Sequence, residues 1–366
     1  MKIAYALAGE GRGHTTRAIS LAKKLIEAGH EIQFFTCGDA IELLHQKFGE
    51  KSVSSLETPR FVIGNNGVSY SRTTIASIKF LFGHKSRLEN CIRQLNEFGA
   101  EVLISDFEPT FARAAKKLKL PLISFNSQRF TIDTKLKKKL SRVQRLKLLP
   151  VKILCRYMAP KPNLSVISKG FNLEAKRPDI HLVGPMLRPA FHPDAWMPEG
   201  THVVAYMRKS VLCHLDAIAS HADKYDLKVK LYGHYPETLP PNVELCPISD
   251  SGFTNDLLTC DWICQTAGSQ LLGEVGTLRV PTICFPEPNQ VEQEINAVLA
   301  EKAYSNVSVI RTKKLSDSDL DLALAKCSTE EAPPTFENGT TGAFEIIQKF
   351  LNATSTIQKV NFNPNP

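Results

Sequence analysis

The chain has 366 residues, 43% of them hydrophobic and 22% charged, with a net charge of +8. That composition is ordinary for a folded globular protein and long enough for two domains, each with its own core. No apolar run approaches the eighteen or so residues a membrane span requires, and nine cysteines without a C-x-x-C pair argue against a disulfide framework or a zinc site.

The net charge conceals an asymmetry. Residues 1–186 hold 31 Lys/Arg against 15 Asp/Glu, a balance of +16, while the remainder holds 14 against 22, a balance of −8. A basic half of this kind suits an anionic partner. The N-terminal MKIAYALAG reads as a buried strand, not a signal peptide, which with the cysteine usage points to a cytoplasmic protein.

In chain order, KIAYALAG is a strand, Thr15 to Glu27 a helix closed by Gly29, and EIQFFTCG a second strand. EVLISD (Glu101 to Asp106), the helix FARAAKKLKL and PLISFN repeat the β-α-β order, and strands at 164–168 and 181–185 complete the half. This alternation predicts an α/β protein with a parallel, doubly wound sheet. The proline-punctuated stretch Met186 to Gly200 is the expected linker, placing the boundaries at 1–186, 187–200 and 201–341. A second β-α series starts at HVVAYM (202–207) and continues through LKVKLYG and VELCPIS. A short helix at 342–353 and a disordered tail at 354–366 are expected to end the chain.

Asp261 to Ala297 is the most informative stretch. It reads as a strand, a small-residue turn at Ala267-Gly268-Ser269, a helix carrying Glu274, a strand (Pro281 to Phe285), a proline-bracketed loop and a helix opening with Glu292-Gln293. A helix N-terminus after such a turn suits a diphosphate, with Thr266, Gly268, Ser269 and Gln270 around it. Glu274, about two turns on, could accept hydrogen bonds from a ribose diol, and Gln290, Glu292 and Gln293 offer polar groups to a sugar.

That segment resembles the donor-binding signature of GT-B glycosyltransferases of the UDP-glycosyltransferase and peptidoglycan N-acetylglucosaminyltransferase lineage. The matching positions are Gly268, Glu274, Pro281, Pro286, Glu292, Gln293 and Asn296. The resemblance implies two Rossmann-like domains facing across a cleft, with a UDP-sugar as co-substrate in the C-terminal half and no other cofactor. It also implies that Pro247, Ile248 and Ser249 frame the uracil.

The first turn, Gly9-Glu10-Gly11-Arg12-Gly13-His14, is a poor dinucleotide fingerprint, since the spacing is G-x-G-x-G and no acid ends the second strand. GEGRGHTTRAI resembles the GxGRGHxTRA turn of a bacterial and archaeal glycosyltransferase group. In the related UDP-glycosyltransferases the His is the general base for the acceptor hydroxyl, paired with an Asp at a later strand end, which here is Asp106. The same two residues could simply cap helices. Glu10 is the reserve base, and Gly11, Arg12, Gly13 and Arg17 are placed to hold an acceptor phosphate.

From Arg129 to Arg156 there are ten Lys/Arg and one acid, with Leu136, Leu140, Val143 and Leu146 at helical spacing and Pro150 expected to break the run. The pattern fits either an interfacial membrane element within 129–158, on the inner face of the cytoplasmic membrane, or a solvated helix face. Asp317, Asp319 and Asp321 read as a capped acidic first turn and not as a metal site. The expected function is inverting, metal-independent transfer from a UDP-sugar to a lipid-linked or otherwise polyanionic acceptor, with no nucleic-acid role. A nucleotide-sugar 2-epimerase and a non-catalytic polyanion-binding protein are the competing readings.

Overall fold

A computed structural model describes residues 1–9, 12–56, 63–64, 67–68, 84–136, 139–247, 250–312, 314–328 and 338–361. The N-terminal half contains strands β1 (Lys2–Leu7), β2 (Glu31–Thr36) and β3 (Val53–Ser55), and a short antiparallel pair, β4 (Ile63–Gly64) and β5 (Gly67–Val68). Strands β6 (Val102–Asp106), β7 (Leu122–Phe125), β8 (Leu164–Ser168) and β9 (Ile180–Val183) follow. Its helices are α1 (Arg12–Glu27), α2 (Asp39–Phe48), α3 (His84–Phe98), α4 (Pro109–Lys117), α5 (Phe130–Asp133) and α6 (Arg142–Met158).

The second half contains β10 (His202–Met207), β11 (Lys228–Gly233), β12 (Val243–Leu245), β13 (Ile263–Gln265), β14 (Thr282–Cys284) and β15 (Val307–Val309). Between and after them run α7 (Leu215–Asp223), α8 (Asp250–Thr259), α9 (Ser269–Leu278), α10 (Val291–Ala303), α11 (Asp317–Ala325) and α12 (Gly339–Asn361).

Two parallel sheets result, a seven-stranded one ordered β3-β2-β1-β6-β7-β8-β9 and a six-stranded one ordered β12-β11-β10-β13-β14-β15. Both are doubly wound, as the alternation of buried strands and helices predicts. The order reverses beside β1 in the first sheet and beside β10 in the second, so crevices open past the C-terminal ends of β1/β6 and β10/β13. Register puts Leu7 opposite Asp106 and Tyr206 opposite Gln265 at those ends. A β-carbon at Gly9 would collide with the Cys37 carbonyl, so the chain leaving β1 can pass the end of β2 only as glycine.

The halves share a core. Phe130, Leu136, Leu140, Ile167 and Phe171 pack with Leu272, Ile295, Leu299 and Tyr304. Linker residues Leu187 and Phe191 are likewise buried, against Val204, Phe253 and Leu271, so the expected linker is a packed strap on the second half.

Three expectations need correction. The terminal helix runs from Gly339 to Asn361, longer than 342–353, and overlaps the tail expected to be disordered; only 362–366 lie outside the described residues. Its Ala343, Ile347 and Leu351 return to the first half and pack with Ile3, Leu21 and Phe34, which gives it an apolar face to bury. Pro150 does not break α6, because Leu148, Cys155 and Met158 anchor the helix on both sides while the proline faces solvent. Leu136 and Leu140 are core residues, so the exposed apolar stripe is Val143, Leu146, Leu149 and Ile153.

Candidate active site

His14 lies in the first turn of α1 and Asp106 ends β6. His14 Nδ1 is 2.8 Å from Asp106 Oδ1, and the carboxylate is fully buried. Asp106 also receives Arg17, whose Nη2 is 2.7 Å and Nε 3.1 Å from Oδ2. Positions 14 and 17 are one turn apart on α1, so both side chains reach the same strand end. A buried carboxylate needs a cation and hydrogen-bond donors, and Asp106 has both.

Arg17 Nη2 is also 3.1 Å from His14 Nδ1. The Asp106 carboxylate can only accept, so Nδ1 gives it the proton, and the Arg17 contact is a close approach and not a hydrogen bond. The ring is therefore the Nδ1–H tautomer, and its Nε2 lone pair points away from the carboxylate. Gln128 Nε2 lies 3.3 Å from His14 Nε2, and the Gln128 Oε1 atom is buried with no partner among the described residues. Phe107, next to Asp106, has φ of 61° and stacks on His14 with ring centroids 6.5 Å apart. A positive φ at a bulky residue is strained backbone of the kind held at functional sites.

Arg17, expected to hold an acceptor phosphate, is 3% exposed and committed to Asp106, so that assignment is corrected. Glu10, Gly11, Ile248, Ser249 and the Arg12 side chain lie outside the described residues. Pro247 is exposed, after β12. Glu108, two residues past Asp106, caps α4 by accepting from the Thr110 and Phe111 amides, yet burial pushes its carboxyl up to about 7. A cavity of about 800 Å³ opens beside it, lined by Arg87, Asn90, Gln94 and Phe111 among others.

On the opposite wall Gly268 is the N-cap of α9 and supplies no side-chain cap, so the first amides of the helix have no intrahelical partner. Ser269 and Gln270 are partly exposed there, and Thr266 is buried behind them. A β-carbon on Gly13 would stand 3.9 Å from Cβ of Gln270. The N-termini of α1 and α9 therefore face each other across the cleft, and their dipoles converge on one volume suited to a dianion. Gln265, just before this turn, has both amide atoms buried without a partner among the described residues.

Glu274 is 1% exposed and already engaged: Arg188 of the strap lies 3.1 Å from Oε2 and Gln270 Nε2 3.1 Å from Oε1. Gln293 is turned inward, accepting from the Glu287 amide at 3.0 Å and donating to the Glu287 carboxylate at 2.7 Å. Glu287 also takes the Ser210 hydroxyl at 2.6 Å and lies 3.6 Å from Arg208. Glu287 thus ties the proline-bracketed loop to the end of β10. Gln290 is the N-cap of α10, and Glu292 in its first turn is partly exposed toward the first half.

Arg188, Gln128, Glu287 and Lys169 are absent from the sequence expectation. The Pro286-Glu287-Pro288 bracket was a usable signal for one of them; the other three become visible only in space. Of the acidic run, Asp319 caps α11 with Ser316, Asp321 pairs with His221 and Asp317 with Lys224. Among the described residues no cluster of three His, Cys, Asp or Glu side chains could hold a metal, and no helix is long and apolar enough to cross a membrane.

The sequence matches the family described as glycosyl transferase family 1 over residues 1–326. Two similar proteins are uncharacterized glycosyltransferases of Methanosarcina acetivorans. One is 27% identical over 334 residues, covering 82% of this chain and 84% of the relative. The other is 26% identical over 333 residues, covering 83% and 82%. Similar solved structures include MurG of Acinetobacter baumannii, with TM-score 0.59 at 15% identity over 95% of this chain and 99% of that one. The glycosyltransferase of kitacinnamycin has TM-score 0.65 at 16% identity over 98% of each chain. VinC, solved in complex with DTDP, has TM-score 0.53 at 13% identity over 98% of each. At such identities these likenesses show the fold, which is GT-B.

Proposed function

The chain belongs to glycosyl transferase family 1, and from that footing we propose that it moves a sugar from a UDP-sugar to an acceptor hydroxyl, with inversion and without an obligatory metal. The observation that carries this reading is the His14–Asp106 pair, 2.8 Å apart, on the wall facing the uncapped N-terminus of α9.

The acceptor hydroxyl takes the place of the Gln128 amide and donates to His14 Nε2. As the hydroxyl oxygen attacks the sugar C1, its proton passes to Nε2, and Asp106 stabilises the imidazolium that forms. The bond from C1 to the diphosphate oxygen breaks and its electron pair leaves with the nucleotide. Attack opposite the leaving group inverts C1. The charge that grows on the departing diphosphate meets the amides of α9 and the dipole of α1. Glu274 takes the ribose diol while Arg188 stays on its carboxylate and holds it in place, and Gln290 and Glu292 meet the sugar. Gln293 acts through Glu287, not by direct contact.

The acceptor is lipid-linked or otherwise polyanionic, reached at an anionic membrane face. The α6 stripe supports this: Leu146 and Ile153 are 66% and 68% exposed, beside exposed Arg142, Lys147 and Arg156. An apolar stripe flanked by cations suits the headgroup boundary. A thermal-shift panel of UDP-, GDP-, TDP- and CMP-sugars with NAD alongside, followed by hydrolysis assays, tests the donor assignment. Stabilisation by UDP-sugars above the others is expected; stabilisation by NAD alone would defeat it.

A further inference from the structure

Lys169 follows β8 directly and is 3% exposed, yet it is a lysine. Its ammonium group lies 3.0 Å from Asn296 Oδ1 and 4.0 Å from Glu292 Oε1, both in the first turns of α10 on the other half. Below it is the Phe130 ring, 4.1 Å from Nζ to the centroid, with Phe171 at 5.6 Å. Asn296 Nδ2 in turn donates to the carbonyl of Ala267 at 3.1 Å, in the turn that opens α9. One side chain from the first half therefore holds the sugar-side helix, while Asn296 ties that helix to the turn opening α9 through a separate bond that does not involve the lysine.

The contact is tight at the next residue as well. The Tyr304 hydroxyl donates to the Gly170 carbonyl, and a β-carbon at Gly170 would collide with Tyr304 and crowd Gly273. Packing alone would be served better by an apolar side chain between two phenyl rings. Burial pushes the Lys169 ammonium down to about 8; Glu292 opposes that shift and Arg17 adds to it. A cation kept in a place that disfavours it has work in the site.

We propose that Lys169 is the positioning residue for the sugar end of the donor, anchored on Asn296 and holding Glu292 from across the cleft where it meets the sugar. The assignment rests on the UDP-sugar reading above. Its charge draws the Glu292 carboxylate toward the acceptor wall, and the lost proton of a neutral Lys169 would release it.

The test is calorimetric titration of UDP, UDP-glucose and UDP-N-acetylglucosamine into the native chain, Lys169→Met and Lys169→Arg, with thermal unfolding to verify folding. Lys169→Met should weaken the better UDP-sugar by about tenfold or more while UDP changes by less than about twofold, and Lys169→Arg should recover most of the loss. Native UDP-sugar affinity should fall as pH rises through about 8, and Lys169→Arg should keep its affinity there. Equal loss for UDP and UDP-sugar, or none for either, overturns the assignment while leaving the donor reading intact. A native chain that binds neither UDP nor its sugars overturns both.

Discussion

His14 and Arg17 share one carboxylate, with Asp106 Oδ1 2.8 Å from the imidazole and Oδ2 2.7 Å from the guanidinium. Arg17 compensates the buried charge and reaches both carboxylate oxygens, and His14 shares Oδ1 with it. The arginine is thus a support for the dyad and not a contact for substrate.

Arg17→Met should therefore damage the fold before it damages binding. Removing one partner of a buried ion pair costs about 3–5 kcal/mol, because Asp106 would stay buried without its cation. Urea unfolding of the variant measures this. A loss within about 0.5 kcal/mol, the range of an ordinary surface substitution, would contradict the assignment.

Glu274→Ala should weaken UDP binding by about 1–3 kcal/mol, since it removes the acceptor for the ribose diol and leaves Arg188 without its carboxylate in a closed cleft. Arg188→Met in the same background should then add little, because the two side chains act through one contact. Calorimetry on the two single variants and the double variant reads the coupling; additive losses would separate Arg188 from the donor site.

Glu108 gives stability a pH dependence with a definite sign. Its folded carboxyl titrates at about 7, above the ordinary value of 4.5, so between those values the folded state binds more protons than the unfolded one. Stability from this group is full below 4.5 and declines as pH rises through 7. Glu108→Gln should remove that decline in chemical-denaturation series across pH 4.5 to 7. An unchanged slope would assign the pH dependence elsewhere.

Anionic liposomes should sediment the native chain at low salt and release it at high salt, each engaged cation contributing about 1 kcal/mol near the surface. Leu146→Asp with Ile153→Asp should abolish binding without lowering stability, as both side chains already face solvent. Undiminished sedimentation of that pair would remove α6 from the interface.

Much of this was legible in the residues. The alternation of apolar strands with Gly-closed helices is local, and it gave both sheets and the two crevices. The His14–Asp106 pair was legible through the family resemblance, and a doubly wound order brings the start of α1 beside the end of β6. What stayed hidden depended on direction in space. Arg17 is three residues from His14, a spacing that already put the two on one helix face, yet nothing local showed that face turning to Asp106. Gln293 points inward to Glu287, six residues before it, a pairing that the sequence order alone does not reveal. Lys169 carried no signal at all, since its partners are 127 and 123 residues away. The terminal helix gains its order from Ile3, Leu21 and Phe34, at the other end of the chain.

The central claim is that His14 takes the acceptor proton at a UDP-sugar site built by the other half. The most direct measurement is UDP release from a UDP-sugar by the native chain and by His14→Ala, each alongside its UDP affinity. The account predicts that His14→Ala binds UDP as the native chain does and turns over about two to four orders of magnitude more slowly. Release by His14→Ala at the native rate would contradict it and return His14 to the role of a helix cap.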